Sequence, residues 1–177
     1  MKENKPLFIR NSIVAFLATI ILIALDQFTK YLAVLNLKDQ SSFVLIKKVF
    51  ELQYLENNGA AFGMLEGKKY FFLAVTIIFL IAACFIFYKI PLEKKFIPLR
   101  IVIVFLSSGA IGNMIDRLLH RYVIDFFYFE IINFPIFNVA DIYVTLSAIT
   151  LFVLLLFYYK EDDLNQIFPS KKVREKS

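Results

Sequence analysis

Residues 70–88 read YFFLAVTIIFLIAACFIFY, an apolar run without a single charge. At 1.5 Å per residue a helix of that length reaches about 28 Å, close to the roughly 30 Å of a bilayer's hydrocarbon core. Its one cysteine, Cys84, reads as a small buried or lipid-facing residue. Three further segments approach the same length. Ile13–Leu25 is apolar except for Thr19, is too short alone, and must continue through Asp26 to about Leu35. Ile97–Leu119 ends among Ser107, Ser108, Gly109, Ala110, Gly112 and Asn113, small residues that let neighbouring helices approach closely. Val139–Tyr159 carries Asp141 near its start and then stays apolar up to Lys160, with Thr145, Ser147 and Thr150 the exceptions.

Composition agrees with these runs. Of 177 residues 59% are hydrophobic and 20% charged, with 21 Phe and 9 Tyr. That is more apolar surface than the interior of so small a globule could bury. One Cys and one His exclude an internal disulfide and supply too few nitrogen and sulfur ligands for a conventional zinc or haem centre. A net charge of +5 comes from 20 Lys and Arg against 15 Asp and Glu, dispersed among apolar runs, so no continuous basic face is offered to nucleic acid.

The reading is a membrane all-α fold with minor β: a four-transmembrane-helix bundle forming a single integral membrane domain over residues 1–177. Spans fall at about 13–35, 70–88, 97–119 and 139–159. Four crossings put Lys2, Lys5 and Arg10, Lys89, Lys94, Lys95 and Arg100, and the cations from Lys160 onward on one side, so the positive-inside rule makes both termini cytoplasmic. A basic start followed by an apolar run resembles a secretory signal, but no small-x-small cleavage pattern follows Leu25, and an uncleaved first helix is expected. Residues 160–177 form the cytoplasmic tail, expected to be frayed from Glu161 on. The segments 36–69 and 120–138 lie outside. Alternation over Phe43–Ile46 and Val49–Leu55 predicts short strands on the outer membrane surface, before the turn signal Asn57-Asn58-Gly59. Tyr122–Phe137, aromatic and β-branched and closing on Pro135, reads as a strand or extended loop.

Function is suggested by acid where lipid disfavours it. An Asp at the centre of a membrane helix costs about 2.5–3.5 kcal/mol on translocon scales, so each needs a partner or a task. Asp26, Asp116, Asp125 and Asp141 all fall at the outward ends of the spans and can converge in one layer. Asp26 shares a helix face with Lys30 and can be a structural ion pair. Asp116, beside Arg117 and three residues after Asn113, can be an anchor. Asp125 has no cation nearer in sequence than Arg121, and its apolar setting raises a carboxyl pKa. Asp141, three residues after Asn138, suits the dipole at a helix start. Were Asp125 and Asp141 to meet, they would share one proton in the manner of an aspartic protease. His120 reads as an interfacial residue. A proton-coupled transporter or a structural subunit remains the rival reading; the chain lacks the paired halves common in transporters.

Five blocks in order carry a resemblance: Asp26-Gln27-Phe28-Thr29-Lys30, Asn57-Asn58-Gly59-Ala60-Ala61-Phe62-Gly63, Gly109 to Arg117, Val123-Ile124-Asp125-Phe126, and Phe137-Asn138-Val139-Ala140-Asp141. On them the chain resembles the lipoprotein signal peptidase family (signal peptidase II), membrane aspartic proteases of bacteria. The resemblance implies removal of the signal peptide from prolipoproteins, by cleavage just before a cysteine that carries diacylglyceryl. It assigns the catalytic dyad to Asp125 and Asp141, with Asp116 the runner-up, and implies no metal and no cofactor. Asn57, Gly59, Asn113, Arg117 and Asn138 match positions that line the site or hold substrate, with Asp26 and Lys30 in support. Prolipoproteins and membrane lipids are the implied partners, with no nucleic acid and a monomeric enzyme in the inner membrane, its site near the outer face. The segment Asn57–Gly63 is expected to cover substrate. Two positions depart from the family's commonest pattern: Ser108 stands where Gly is frequent, and Arg121 where a small residue is.

Overall fold

The computed structural model describes residues 5–59 and 68–169. Four of its helices are long and apolar enough to cross a membrane. Helix α1 spans Lys5–Leu37, α2 Lys69–Lys89, α3 Ile97–Leu119 and α4 Val139–Val153, the last continued by a π-helical turn over Leu154–Tyr158. Most of their surface is apolar and unburied: Ile21 and Ile78 are about two-thirds exposed, and Phe157 is 81% exposed. Ribbons of that kind belong in lipid, since water would not tolerate apolar patches of this extent. The protein is a membrane protein, all-α with minor β.

Helix α3 is the central one, packing against α1, α2 and α4. Its small residues make this possible. A methyl group placed on Gly109 would lie 2.5 Å from the Ala140 carbonyl oxygen, and one on Gly112 would lie 2.5 Å from Asp26 Oδ2. Backbone therefore meets backbone and carboxylate at the end of the bundle that carries the sheet, which draws the acidic residues of α1 and α4 onto α3.

The sheet has three antiparallel strands in the order β1 (Phe43–Ile46), β2 (Phe50–Asn57), β3 (Val123–Tyr128). In β3 the period of two sorts the side chains. Ile124 and Phe126 are buried against Ala33 and Leu37 of α1. Asp125, between them and paired with Leu55 of β2, faces the other way. Phe137 bridges to Phe127 just before α4 starts, so the chain re-enters the bundle directly beside the sheet.

The far end of the bundle corrects one expectation. Glu161–Ile167 is no frayed tail but a short helix, α5. Ile167 is buried in a cluster with Ile90, Phe96, Leu99 and Tyr159. Lys95 Nζ meets both carboxylate oxygens of Asp163 at 2.6 Å. A charged sequence with one well-placed isoleucine docks because the surface it meets is apolar and carries a cation. Among the described residues the first helix also reaches further back than its apolar run, as far as Lys5, since Lys and Arg are good helix formers. Of the proposed covering segment, Ala60–Gly63 lie outside the described residues.

Candidate active site

Lys30 organises the end of the bundle that carries the sheet. Its ammonium is fully buried and has three acceptors, one for each proton: Asp26 Oδ2, Asp116 Oδ2 and Asn113 Oδ1, each at 2.9 Å. The expected i,i+4 pair of Asp26 and Lys30 is present. Asp116 does not pair with the adjacent Arg117 as its sequence position suggested. It takes Lys30, the Gln27 side-chain amide at 3.0 Å and the backbone N–H of Ile124 at 3.1 Å. Asp26 in turn accepts the N–H of Ala140 at 2.9 Å. The two acids thus fasten α1 to the start of α4 and α3 to strand β3. Gln27 was not singled out from the sequence. It donates to Asp26, to Asp116 and to the carbonyl of Gly112, and its spacing of three from Lys30 was the signal that both share a helix face.

In front of this ionic layer lies a cavity of about 540 Å³. Six of the ten candidate residues line it: Asn57, Gly59, Asn113, Arg117, Asp125 and Asp141. The other four, Asp26, Lys30, Asp116 and Asn138, are buried behind it. Asn138 caps α4, accepting the N–H of Asp141 at 3.0 Å while its own N–H donates to Asp141 Oδ2 at 3.1 Å. This reciprocal box fixes the Asp141 rotamer. The Asn138 side-chain amide donates to Asp125 Oδ1 at 2.6 Å, so one residue holds both carboxylates. Asn57 donates to the other Asp125 oxygen at 2.8 Å, and Asn113 donates to Asp141 Oδ1 at 2.8 Å.

Asp125 is almost completely buried, 1% exposed. Burial, and then the negative charge of Asp141, push its carboxyl up to about 7, although the amides of Asn57 and Asn138 pull the other way. Arg117 lies over the Phe72 ring at 4.5 Å and donates to the Gly59 carbonyl at 3.2 Å. It thereby ties α3 to the turn after β2. The remaining wall is apolar, with Phe129, Phe134 and Phe137 on the strand side and Ile142 and Leu146 on α4. An acid whose proton is retained toward neutral pH, a second carboxylate beside it and a mostly apolar cavity wall suit acid–base chemistry on an amphiphilic substrate.

The signal peptidase (SPase) II family model matches residues 18–157, from within α1 to the π-helical turn that continues α4. The chain belongs to the signal peptidase II family. Membership makes it a peptidase. It is 40% identical to the lipoprotein signal peptidase of Clostridioides difficile (strain 630) over 142 residues, which cover 80% of this chain and 94% of that protein. It is 42% identical to that of Brevibacillus brevis over 133 residues, 75% of this chain and 88% of the relative. A solved structure described as a bacterial membrane enzyme superposes with a TM-score of 0.73 at 35% identity, covering 84% of this chain and 92% of the other.

Ser108 and Arg121, the two positions that the resemblance set apart, have local accounts. Ser108 is fully buried, and its hydroxyl donates to the Val104 carbonyl one turn earlier at 2.7 Å, so no polar group is stranded. Arg121 sits at φ 75°, in the left-handed region, where a residue without Cβ is at ease and Arg is strained.

Proposed function

We propose that this signal peptidase II family member is an aspartic endopeptidase. It hydrolyses the bond just before the diacylglyceryl-modified cysteine of prolipoproteins, with Asp125 and Asp141 as the dyad. The observation that carries the reading is that Asn138 holds both carboxylates at one cavity, one from a surface strand and one from the first turn of a membrane helix.

In the reaction Asp125 holds the proton and Asp141 is the carboxylate. Asp141 takes a proton from water as the water oxygen bonds to the scissile carbonyl carbon, while Asp125 gives its proton to the carbonyl oxygen. The tetrahedral intermediate collapses as the carbon–nitrogen bond breaks. The proton on Asp141 goes to the leaving amine, and Asp125 recovers its own from the intermediate's hydroxyl. Asn113 and the Asn138 backbone hold the Asp141 carboxylate aimed into the cavity. Arg117 and Gly59 hold the extended substrate at the cavity mouth, and Asp26, Lys30 and Asp116 form the rigid floor. The apolar walls accept the acyl chains and the signal helix laterally from the bilayer.

The enzyme works as a monomer and a single domain in the inner membrane, with both termini cytoplasmic and the cavity near the outer face. The basic ends of α1, α2 and α3 support that orientation. Cleavage of a diacylglyceryl-modified prolipoprotein by the purified full-length protein in detergent is the test, comparing wild type with Asp125→Asn, Asp141→Asn and Asp116→Asn. Loss of turnover by about 10³-fold or more in the first two, with chelators without effect and residual turnover in the third, is expected. Undiminished cleavage by Asp125→Asn would remove the dyad.

A further inference from the structure

A second cavity, of about 460 Å³, opens at the opposite end of the bundle between α1 and α3, beside the end of α2. Arg10, Lys94 and Arg100 line it, and no carboxylate does. Arg10 and Lys94 have no ion pair among the described residues. The rest of the lining is almost wholly apolar and runs along α1 from Leu7 to Ala18 and along α3 from Ile97 to Phe105. At 1.5 Å per residue the α1 wall runs about 12 Å along the helix from Arg10 to Ala18.

Arg100 is the unusual member. It is more than nine-tenths buried, at 7% exposure. Its Nη2 donates to the carbonyls of Ile90 at 2.7 Å and Pro91 at 3.2 Å, and its guanidinium lies 5.1 Å from the centre of the Phe87 ring. Its Nη1 is the one buried side-chain polar atom without a hydrogen-bond partner among the described residues. Leaving a charged donor unmatched is costly, and such an atom calls for an acceptor from outside the chain.

We propose that this cavity is a binding site for an anionic phospholipid of the leaflet at the basic end of the bundle. Its phosphate is held among Arg100, Arg10 and Lys94, and one acyl chain lies along the apolar wall. Charge selects the occupant: three cations without a counter-acid reject a basic peptide segment and gain nothing from a zwitterionic headgroup whose own ammonium competes. Position selects it too, because the cations sit together near one end of the bundle, Arg10 in the second turn of α1, Lys94 in the short 3-10 turn just before α3 and Arg100 in the first turn of α3, with the apolar wall directly beyond them. The site lies on the opposite half of α3 from Asn113 and Arg117, so it is separate from the peptidase cavity.

The experiment measures the thermal unfolding midpoint of the full-length protein in a neutral detergent, with added dioleoylphosphatidylglycerol, dioleoylphosphatidylcholine or glycerol phosphate. Phosphatidylglycerol is expected to raise the wild-type midpoint well above the value in phosphatidylcholine, and glycerol phosphate to leave it unchanged. The difference should fall by at least half in Arg10→Gln/Lys94→Gln. It should also fall in Ala18→Phe, which fills the wall while keeping every cation. It should persist in Lys160→Gln, which removes a cation elsewhere at the same end. Equal shifts from the two lipids, a full shift in both the double variant and Ala18→Phe, or an equal loss in Lys160→Gln would overturn the site. A full shift from glycerol phosphate alone would overturn the lipid as its occupant.

Discussion

Lys30 donates to the side-chain oxygen of Asn113, and this decides which end of that amide Asp141 meets. An ammonium offers protons only, so the oxygen of Asn113 must face it and the NH₂ must face Asp141. Replacing Asn113 by Ala removes a donor from Asp141 but leaves Lys30 its two carboxylates. Turnover should fall by about 10²–10³-fold. Stability should fall by about 1–3 kcal/mol. Prolipoprotein cleavage rates and chemical denaturation measure the two, and turnover within threefold of wild type would show that the amide does not orient the acid.

Lys30→Met should be much more damaging. Asp26 and Asp116 would stay buried without their shared cation, a loss of about 3–5 kcal/mol. Little folded protein is expected after extraction, and a thermal midpoint near that of wild type would contradict the account of the ionic layer.

Stability should depend on pH through Asp125. Its carboxyl is pushed up to about 7 in the folded protein, against 3.8 ordinarily, so folding takes up a proton between those values. The native state binds more protons than the unfolded chain there, and this group's contribution to stability declines as pH rises, by up to about 1.4 kcal/mol per pH unit. The decline ends above pH 7, where Asp125 is ionised in both states. Turnover should fall as pH rises through about 7, where the folded enzyme loses the donating proton and the stability decline ends. Unfolding midpoints from pH 5 to 8 test this, with Asp125→Asn expected to flatten the slope; an identical slope in that variant would locate the proton elsewhere.

Gly112→Ala brings a methyl against Asp26 Oδ2, and the carboxylate cannot retreat without leaving Lys30 or the Ala140 N–H. A loss of about 1–3 kcal/mol is expected from overpacking. Denaturation of the variant, alongside Ser107→Ala on the same helix as a tolerated control, provides the comparison.

Arg121→Gly should stabilise the protein by about 1 kcal/mol, because only the glycine is unstrained at φ 75°. An unchanged or lower midpoint would mean that the Arg side chain contributes more than its backbone costs.

How far the sequence carries varies with the element. The four apolar runs are legible because lipid imposes length and composition on any helix that crosses it. Strand β2 is legible from its alternation, since Leu52 and Tyr54 pack in the cluster with Ala33 and Leu37 of α1, whereas all four residues of β1 are exposed. The gathering of acids at one end follows from their positions along the runs. Which partner each acid takes is not written locally. Asp116 ignores Arg117 next door because successive helical residues point about 100° apart, and it pairs with Lys30 across a glycine-lined contact. The docking of α5 is invisible for a similar reason: seven mostly polar residues look like a tail until the surface that receives Ile167 exists.

The division of the cavity's acids between a strand and a helix has a consequence for biogenesis. Asn57 and Asp125, which touch, are 68 positions apart, and Asp141 arrives later still, on the last membrane helix. No nascent chain that has yet to insert α4 holds both carboxylates. A slip of one residue in the pairing of β2 with β3 would turn Asp125 toward α1. With Asp125 and Asp141 as the proposed dyad, the protein is inert throughout its own insertion and becomes competent only when sheet and bundle have both closed, the safeguard other proteases obtain from a removable propeptide.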